Sequence, residues 1–145
     1  MSAREDIAKN LLEQLQNMTD PAPGKVSRVD FEVTKLAITQ FPAILMVTGN
    51  EVRSDISMGL RESTLQYEMR CYVRGTQIDT LRNEIVERIE ETLEVSRDRD
   101  IALADTNIHN VTTRVVNVEV VERELPLGEV IVFCDVIYRY NKGVL

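Results

Sequence analysis

The chain has 145 residues, the length of one typical domain, and a chain of this length can bury roughly 70% of its unfolded surface. Hydrophobic residues make up 43%, charged residues 28% and aromatic residues only 5%, so we expect a globular domain with a mainly aliphatic core. The formal net charge of −7 excludes nucleic-acid binding through the overall electrostatic field, because phosphate binding needs clustered lysine and arginine.

The first predicted element is a helix over residues 2–18. Ser2 and Glu5 are expected to form a capping box at its start. Its apolar residues recur at helical spacing on one face: Ile7, Leu11, Leu15 and Met18. Two prolines and a glycine within residues 20–24 end it.

Three strands are predicted next, separated by one long connection. Residues 26–33 alternate between apolar and charged side chains, and residues 41–48 are nearly all apolar. Residues 49–63 are polar, and we expect a loop that is mobile in the free protein and ordered against a neighbour. Residues 64–73 show the clearest alternation of apolar and polar side chains. Their apolar face consists of Leu65, Tyr67, Met69, Cys71 and Val73.

The second half begins with another predicted helix, which Thr76 and Asp79 open. Its apolar stripe comprises Ile78, Leu81, Ile85, Ile89 and Leu93, and its glutamates and arginines are expected on a solvated outer face. Strands over residues 111–121 and 129–140 follow, joined by a turn at 125–128. The order α-β-β-β-α-β-β predicts a single α+β domain over residues 1–145, with a mainly antiparallel sheet and two helices packed on one face.

The predicted strands have more apolar faces than two helices can cover. Residues 41–47 are apolar on both faces, and in the last strand Ile131, Phe133 and Ile137 form a second apolar face. A further apolar row consists of Val116, Val118 and Val120. Contiguous exposed apolar rows usually mark an interface. Packing by a neighbouring subunit and a sheet that curls or splits into a sandwich explain the pattern about equally well.

The sequence offers little catalytic or metal-binding chemistry. Its single histidine, His109, lies in a polar stretch, and Cys71 and Cys134 fall in strands, where we expect reduced, buried thiols. The run 98–100 lacks the glycine and glutamate of a calcium loop. No phosphate-binding, dinucleotide-binding, nucleophile-elbow or zinc-protease motif occurs. We therefore predict no catalytic residue, no metal and no cofactor, and not an enzyme.

Nothing in the sequence predicts a membrane location. The N-terminal residues are charged and lack the apolar region of a signal peptide. The longest apolar run, residues 41–47, is too short to span a bilayer. We expect a protein that folds in a cytoplasm-like compartment.

The chain resembles the tail terminator proteins, also called tail completion or minor tail proteins, of long-tailed bacteriophages. The resemblance extends over nearly the whole chain and lies in the order and spacing of its elements. They are the N-terminal helix, the strand at 26–30, the Phe41-Pro42 entry into a strand ending at 49–51, the long charged loop, the strand at 65–73, the helix at 78–93 and two closing strands ending at 137–140.

The resemblance implies a homo-hexameric ring in the virion, assembled in the host cytoplasm. Such a ring caps the tail tube, stops its polymerisation and provides the interface for a head-completion or neck protein. In contractile tails it also meets the sheath protein. DNA passes through the lumen without specific binding, and the acidic balance suits that passage.

The candidate assembly interface combines the predicted loop with the second apolar face of the last strand. Its residues are Glu51, Arg53, Asp55, Met58, Arg61, Glu62, Ile131, Phe133 and Ile137. Two alternatives remain open: a related neck or tail-completion ring component, and a small ligand-binding or regulatory α+β domain with a pocket between helices and sheet.

Overall fold

A computed structural model describes residues 3–95 and 108–141 of the protein. Its elements are α1 (Ala3–Gln16), β1 (Lys25–Ser27), β2 (Ala43–Ser57), β3 (Leu60–Arg74), α2 (Ile78–Val95), β4 (Ile108–Val121) and β5 (Leu127–Asn141). Two short 3-10 helices that the sequence patterns did not indicate, Val33–Lys35 and Ile38–Gln40, lie between β1 and β2. The protein is therefore α+β, as predicted.

The strands form one sheet in the order β1-β2-β3-β5-β4. All neighbouring strands are antiparallel except β1, which pairs in parallel with the first three residues of β2. Within the described chain, the expected alternative of two stacked sheets is absent. β4 forms one edge of the sheet, and β2 forms the other edge beyond the short β1.

The main core lies between both helices and one face of the sheet, called the helix side below. Ile85, Ile89 and Leu93 of α2 are fully buried, as the predicted stripe requires. They cluster with Ile7, Leu11 and Leu15 of α1. The apolar face predicted for β3 is buried in the same cluster, together with the even-numbered residues 130–140 of β5. The periodicities of both helices and of β3 were thus correct.

A second, smaller cluster covers one end of the opposite face, called the open side below. Leu45 and Tyr72 are buried there beneath the segment between β1 and β2, whose Val33 is also buried. The ring of Phe31 meets that of Tyr72 edge to face, with centroids 5.8 Å apart. Tyr72 lies outside the apolar face predicted for this strand, and its burial depends on this covering segment.

The strand predicted over residues 26–33 was right only for its first two residues. β1 ends at Ser27, Val29 is 76% exposed, and Val33 belongs to a 3-10 helix. Side chains end the strand: the Ser27 hydroxyl accepts the backbone N–H of Val29 at 2.9 Å, and the Asp30 carboxylate accepts that of Phe31 at 2.9 Å. Such local bonds replace the ladder bonds that a strand would need.

The predicted loop over residues 49–63 was also wrong. β2 continues to Ser57, and a two-residue turn of Met58 and Gly59 leads directly into β3. Gly59 has a φ of +82°, a conformation that glycine adopts without steric strain and that tight hairpins require. Neither helix covers this part of the sheet, so its strands are largely polar. They lack the apolar alternation from which a strand is predicted.

Some predictions concern residues outside the described structure. These are the Ser2 half of the capping box, the polar stretch 96–100 with its 98–100 run, and the side chain of His109. The carboxylate of Glu5 is engaged elsewhere, because it accepts two hydrogen bonds of 2.8 and 2.9 Å from the guanidinium of Arg28.

Candidate assembly surface

The candidate interface residues fall on three parts of the structure. Four lie on the helix side of the hairpin made by residues 50–63, called the arm below: Glu51, Arg53, Asp55 and Arg61. Met58 is at the arm's tip. The other four lie on the open side: Glu62, Ile131, Phe133 and Ile137. The sequence prediction therefore joined residues that point to opposite faces of one sheet.

Glu51 lies at the base of the arm and is engaged inside the subunit. Its side chain is 8% exposed, and its carboxylate accepts hydrogen bonds from the hydroxyls of Ser63, at 2.6 Å, and Tyr138. The guanidinium of Arg53 lies 2.9 Å away, and that of Arg4 in α1 lies 3.6 Å away. Three strands and a helix thus meet at one carboxylate.

The surroundings of Glu51 keep it ionised. Burial by itself raises the pKa of this carboxyl, but the hydrogen bonds from Ser63, Tyr138 and Arg53 outweigh burial and leave the pKa below its usual value. Burial and the neighbouring carboxylate raise the pKa of Tyr138 to about 12, so its hydroxyl remains a donor. We interpret this cluster as an anchor that attaches the arm to the body of the subunit.

Beyond Glu51 the arm is bare. All of residues 52–59 are exposed, and three of them are large and apolar: Val52 at 65%, Ile56 at 42% and Met58 at 99%. Arg61 pairs with Asp55 at 3.0 Å, and the guanidinium of Arg53 lies 5.4 Å from the ring centre of Tyr140. Val52 and Ile56 were missed as site residues because all but one of the residues chosen from the predicted loop were charged.

The open side carries the apolar row of β5 between two polar rows. Ile131 is buried, whereas Phe133 and Ile137 are half-buried. Phe133 pairs with Glu68 of β3 and Asn117 of β4. Polar neighbours therefore shield a narrow apolar row, and truncation of Phe133 should destabilise the fold less than loss of a fully buried ring.

The valines of β4 do not form a single row. A bulge between Val115 and Asn117 breaks the alternation, and Val116 lines a shallow open-side depression with Phe133. Val118 and Val120 pair with buried valines of β5 and so lie on the helix side. They are 40% and 54% exposed at the sheet edge.

A groove of about 680 Å³ lies between α2 and β4. Its floor is apolar and consists of Val86, Val118, Val120 and Val130. Its wall carries Glu87, Glu90, Glu91 and Glu94 of α2, while Arg82 is at one end. These glutamates were predicted to be a solvated face. Helical spacing alone could not show that β4 lies beside them.

Reactive and metal-binding groups are scarce in the described residues. Cys71 and Cys134 are buried and are not joined by a disulfide, and burial raises the pKa of the Cys71 thiol, which disfavours the thiolate. Among these residues, no group of three or more histidine, cysteine or carboxylate side chains could hold a metal ion. In the described part of the chain, no helix is both long enough and apolar enough to cross a membrane.

Comparison with known sequences does not assign the chain to a family. No protein-family model matches the chain, and a search of curated proteins finds no matching sequence.

Proposed function

We propose that the protein is a structural ring subunit of the tail-terminator type. In this proposal six copies form a ring that caps a phage tail tube, stops its polymerisation and joins the tail to a head-completion or neck protein. A sheath protein is a further partner in contractile tails.

The observation that carries the proposal is a pair of unlike apolar surfaces on one subunit. The arm exposes Val52, Ile56 and Met58 without cover from either helix. The open side presents the half-buried Phe133 and Ile137 on the same sheet, with Ile137 in the cross-strand row that Val52 and Thr64 continue toward the arm. Two different surfaces that meet between copies make a head-to-tail contact, which gives a closed ring when the rotation between copies closes and an open filament when it does not.

The polar contacts at the base of the arm and on the open side are compatible with a head-to-tail contact. The anchor at Glu51 attaches the arm to α1 and β5, so the arm need not become ordered when it meets a neighbour. A pre-organised arm loses less conformational entropy on binding than a flexible loop does. On the open side, Arg139 pairs with Glu62 at 3.2 Å, and this pair would lie at the polar rim of the contact.

The experiment compares the oligomeric state of the wild type with that of a double variant of the arm, Val52→Ser/Met58→Ser. Chemical cross-linking and negative-stain imaging of the purified protein should give a ladder that ends at six copies and rings of one size. The arm variant should give monomers at the same concentration.

A matched control is Val29→Ser/Leu125→Ser, which removes apolar side chains that are 76% and 72% exposed but lie outside both surfaces. It should assemble as the wild type does. A wild-type ladder that ends at two copies, or an arm variant that still forms rings, would contradict the proposal.

The same experiment tests the alternative of a small ligand-binding or regulatory domain. The groove between α2 and β4 would suit that alternative, and such a domain would be a monomer or dimer whatever the state of its arm. A monomer that remains a monomer at every concentration, and that joins no tail tube, would favour it.

A further inference from the structure

From the groove between α2 and β4 we infer a docking site for an extended, basic segment of a partner protein. The segment would add as a strand to the outer edge of β4, with a lysine or arginine at every second position. The inference does not depend on the ring, because the described residues that line the groove all come from one subunit.

The first support is the unpaired edge. β4 is the last strand of the sheet, and the described chain contributes no strand to its outer side. At the bulge, Glu94 accepts the backbone N–H of Val115 at 3.1 Å, so one edge donor is already satisfied. Residues 116–121 continue beyond this point. Edges of this kind bind extended peptides through main-chain hydrogen bonds.

The second support is the floor of the groove. Val118 and Val120 project to the helix side next to the edge, where about half of each side chain remains in contact with solvent. An added strand would place every second side chain beside them. A long aliphatic stem at this position can cover these valines and still carry a polar group further out.

The third support is the charge of the wall. Glu87 and Glu90 are exposed and make no ion pair within the described part of the chain. Glu91 pairs with Arg88 at 3.1 Å, and Arg82 lies 3.7 Å from Asp79. The wall therefore offers at least two carboxylates to a cation. Lysine and arginine have an apolar stem and a charged head, which match the valine floor and the glutamate wall in turn.

The open side of the same edge adds a constraint. Asn117 and Glu119 lie there, so the other side chains of the added strand would face polar groups. Small β-formers such as threonine fit these positions. A segment of alternating lysine and threonine is the simplest sequence that satisfies both sides.

The test uses the full chain and a short fluorescent peptide of alternating lysine and threonine, with binding followed by fluorescence anisotropy. The control peptide replaces each threonine with proline. It keeps the charge but loses the N–H donor at every second residue and disfavours the conformation for strand pairing. The lysine–threonine peptide should bind measurably, and the lysine–proline peptide should bind at least about tenfold more weakly.

Two groove variants and one matched control locate the site. Glu87→Gln/Glu90→Gln should weaken binding by about tenfold, and Val120→Lys should abolish it by adding a cation to the floor. Glu13→Gln/Glu84→Gln removes the same number of charges from exposed positions that do not line the groove, and it should bind as the wild type does.

Several outcomes would overturn the inference. They are no binding, equal binding of both peptides, or equal weakening by the control variant, which would indicate only the overall negative charge. If the groove variants changed the oligomeric state without peptide, the occupant would be a second copy and the inference would be wrong.

Discussion

At one end of the sheet, β2 and β3 are covered on both faces, whereas at the other end the same two strands form the bare arm. In the covered part, Ile44 and Met46 are buried against the helices, while Leu45 is buried beneath the segment after β1. In the arm, the strands are joined by their ladder and by the polar anchor at Glu51.

From this difference we expect the covered part to determine the stability of the fold and the arm to determine contacts with other molecules. Apolar burial is the largest favourable contribution to folding, and it is concentrated in the covered part. The arm contributes strand pairing and one buried carboxylate cluster, while its apolar side chains remain in water. Changes to the arm should therefore alter contacts with other molecules more than they alter the fold.

The largest expected effect is in the covered part. Ile89→Ala removes a fully buried side chain of α2 and leaves a cavity, so it should lower the free energy of unfolding by about 2–5 kcal/mol. Urea denaturation followed by circular dichroism measures this. Val29→Ala, at a highly exposed position, should change the free energy by less than about 0.5 kcal/mol. Equal effects of the two variants would show that α2 does not complete the core.

An intermediate effect is expected at the anchor. Glu51→Gln leaves Arg53 without its charge partner and turns an amide N–H₂ toward one of the donors, so it should lower the free energy of unfolding by about 1–3 kcal/mol. Thermal unfolding at neutral pH measures the loss. Glu13→Gln, at an exposed position, is the control.

Acid should reduce the difference between wild type and Glu51→Gln. The folded-state pKa of Glu51 is lowered, whereas an unfolded glutamate has a pKa of about 4.3. The stabilisation by ionised Glu51 is therefore present above that pH and is lost as the pH falls through the folded-state pKa. A gap in melting temperature that stays constant from pH 7 to strongly acidic pH would rule out the ionised carboxylate as its source.

The smallest effect on stability should come from the tip of the arm. Val52→Ser/Met58→Ser changes side chains that are already in water, so the free energy of unfolding should stay within about 0.5 kcal/mol of wild type. The same double variant is expected to lose ring formation. A large loss of stability here would mean that the arm packs against the subunit in solution, and the contrast between the two parts of the sheet would then fail.

Both helices and the apolar faces of β3 and β5 could be predicted from the sequence, because their periodicities are local. Ile85, Ile89 and Leu93 share a helix face whatever covers them, and Leu65, Tyr67 and Met69 share a strand face in the same way. The same alternation was misleading over residues 26–33, where the side chains of Ser27 and Asp30 bond to nearby backbone and end the strand.

The arm, the anchor and the groove were decided by tertiary structure. Residues 50–63 lack an apolar periodicity. They form strands because residues 60–63 pair with β5, whose Tyr138 also donates a hydrogen bond to Glu51 across 87 positions of sequence. The glutamates of α2 have the spacing of any solvated helix face, and only the placement of β4 beside them makes a groove. Local patterns determine which side chains share a face, whereas contacts between distant segments determine what each face meets.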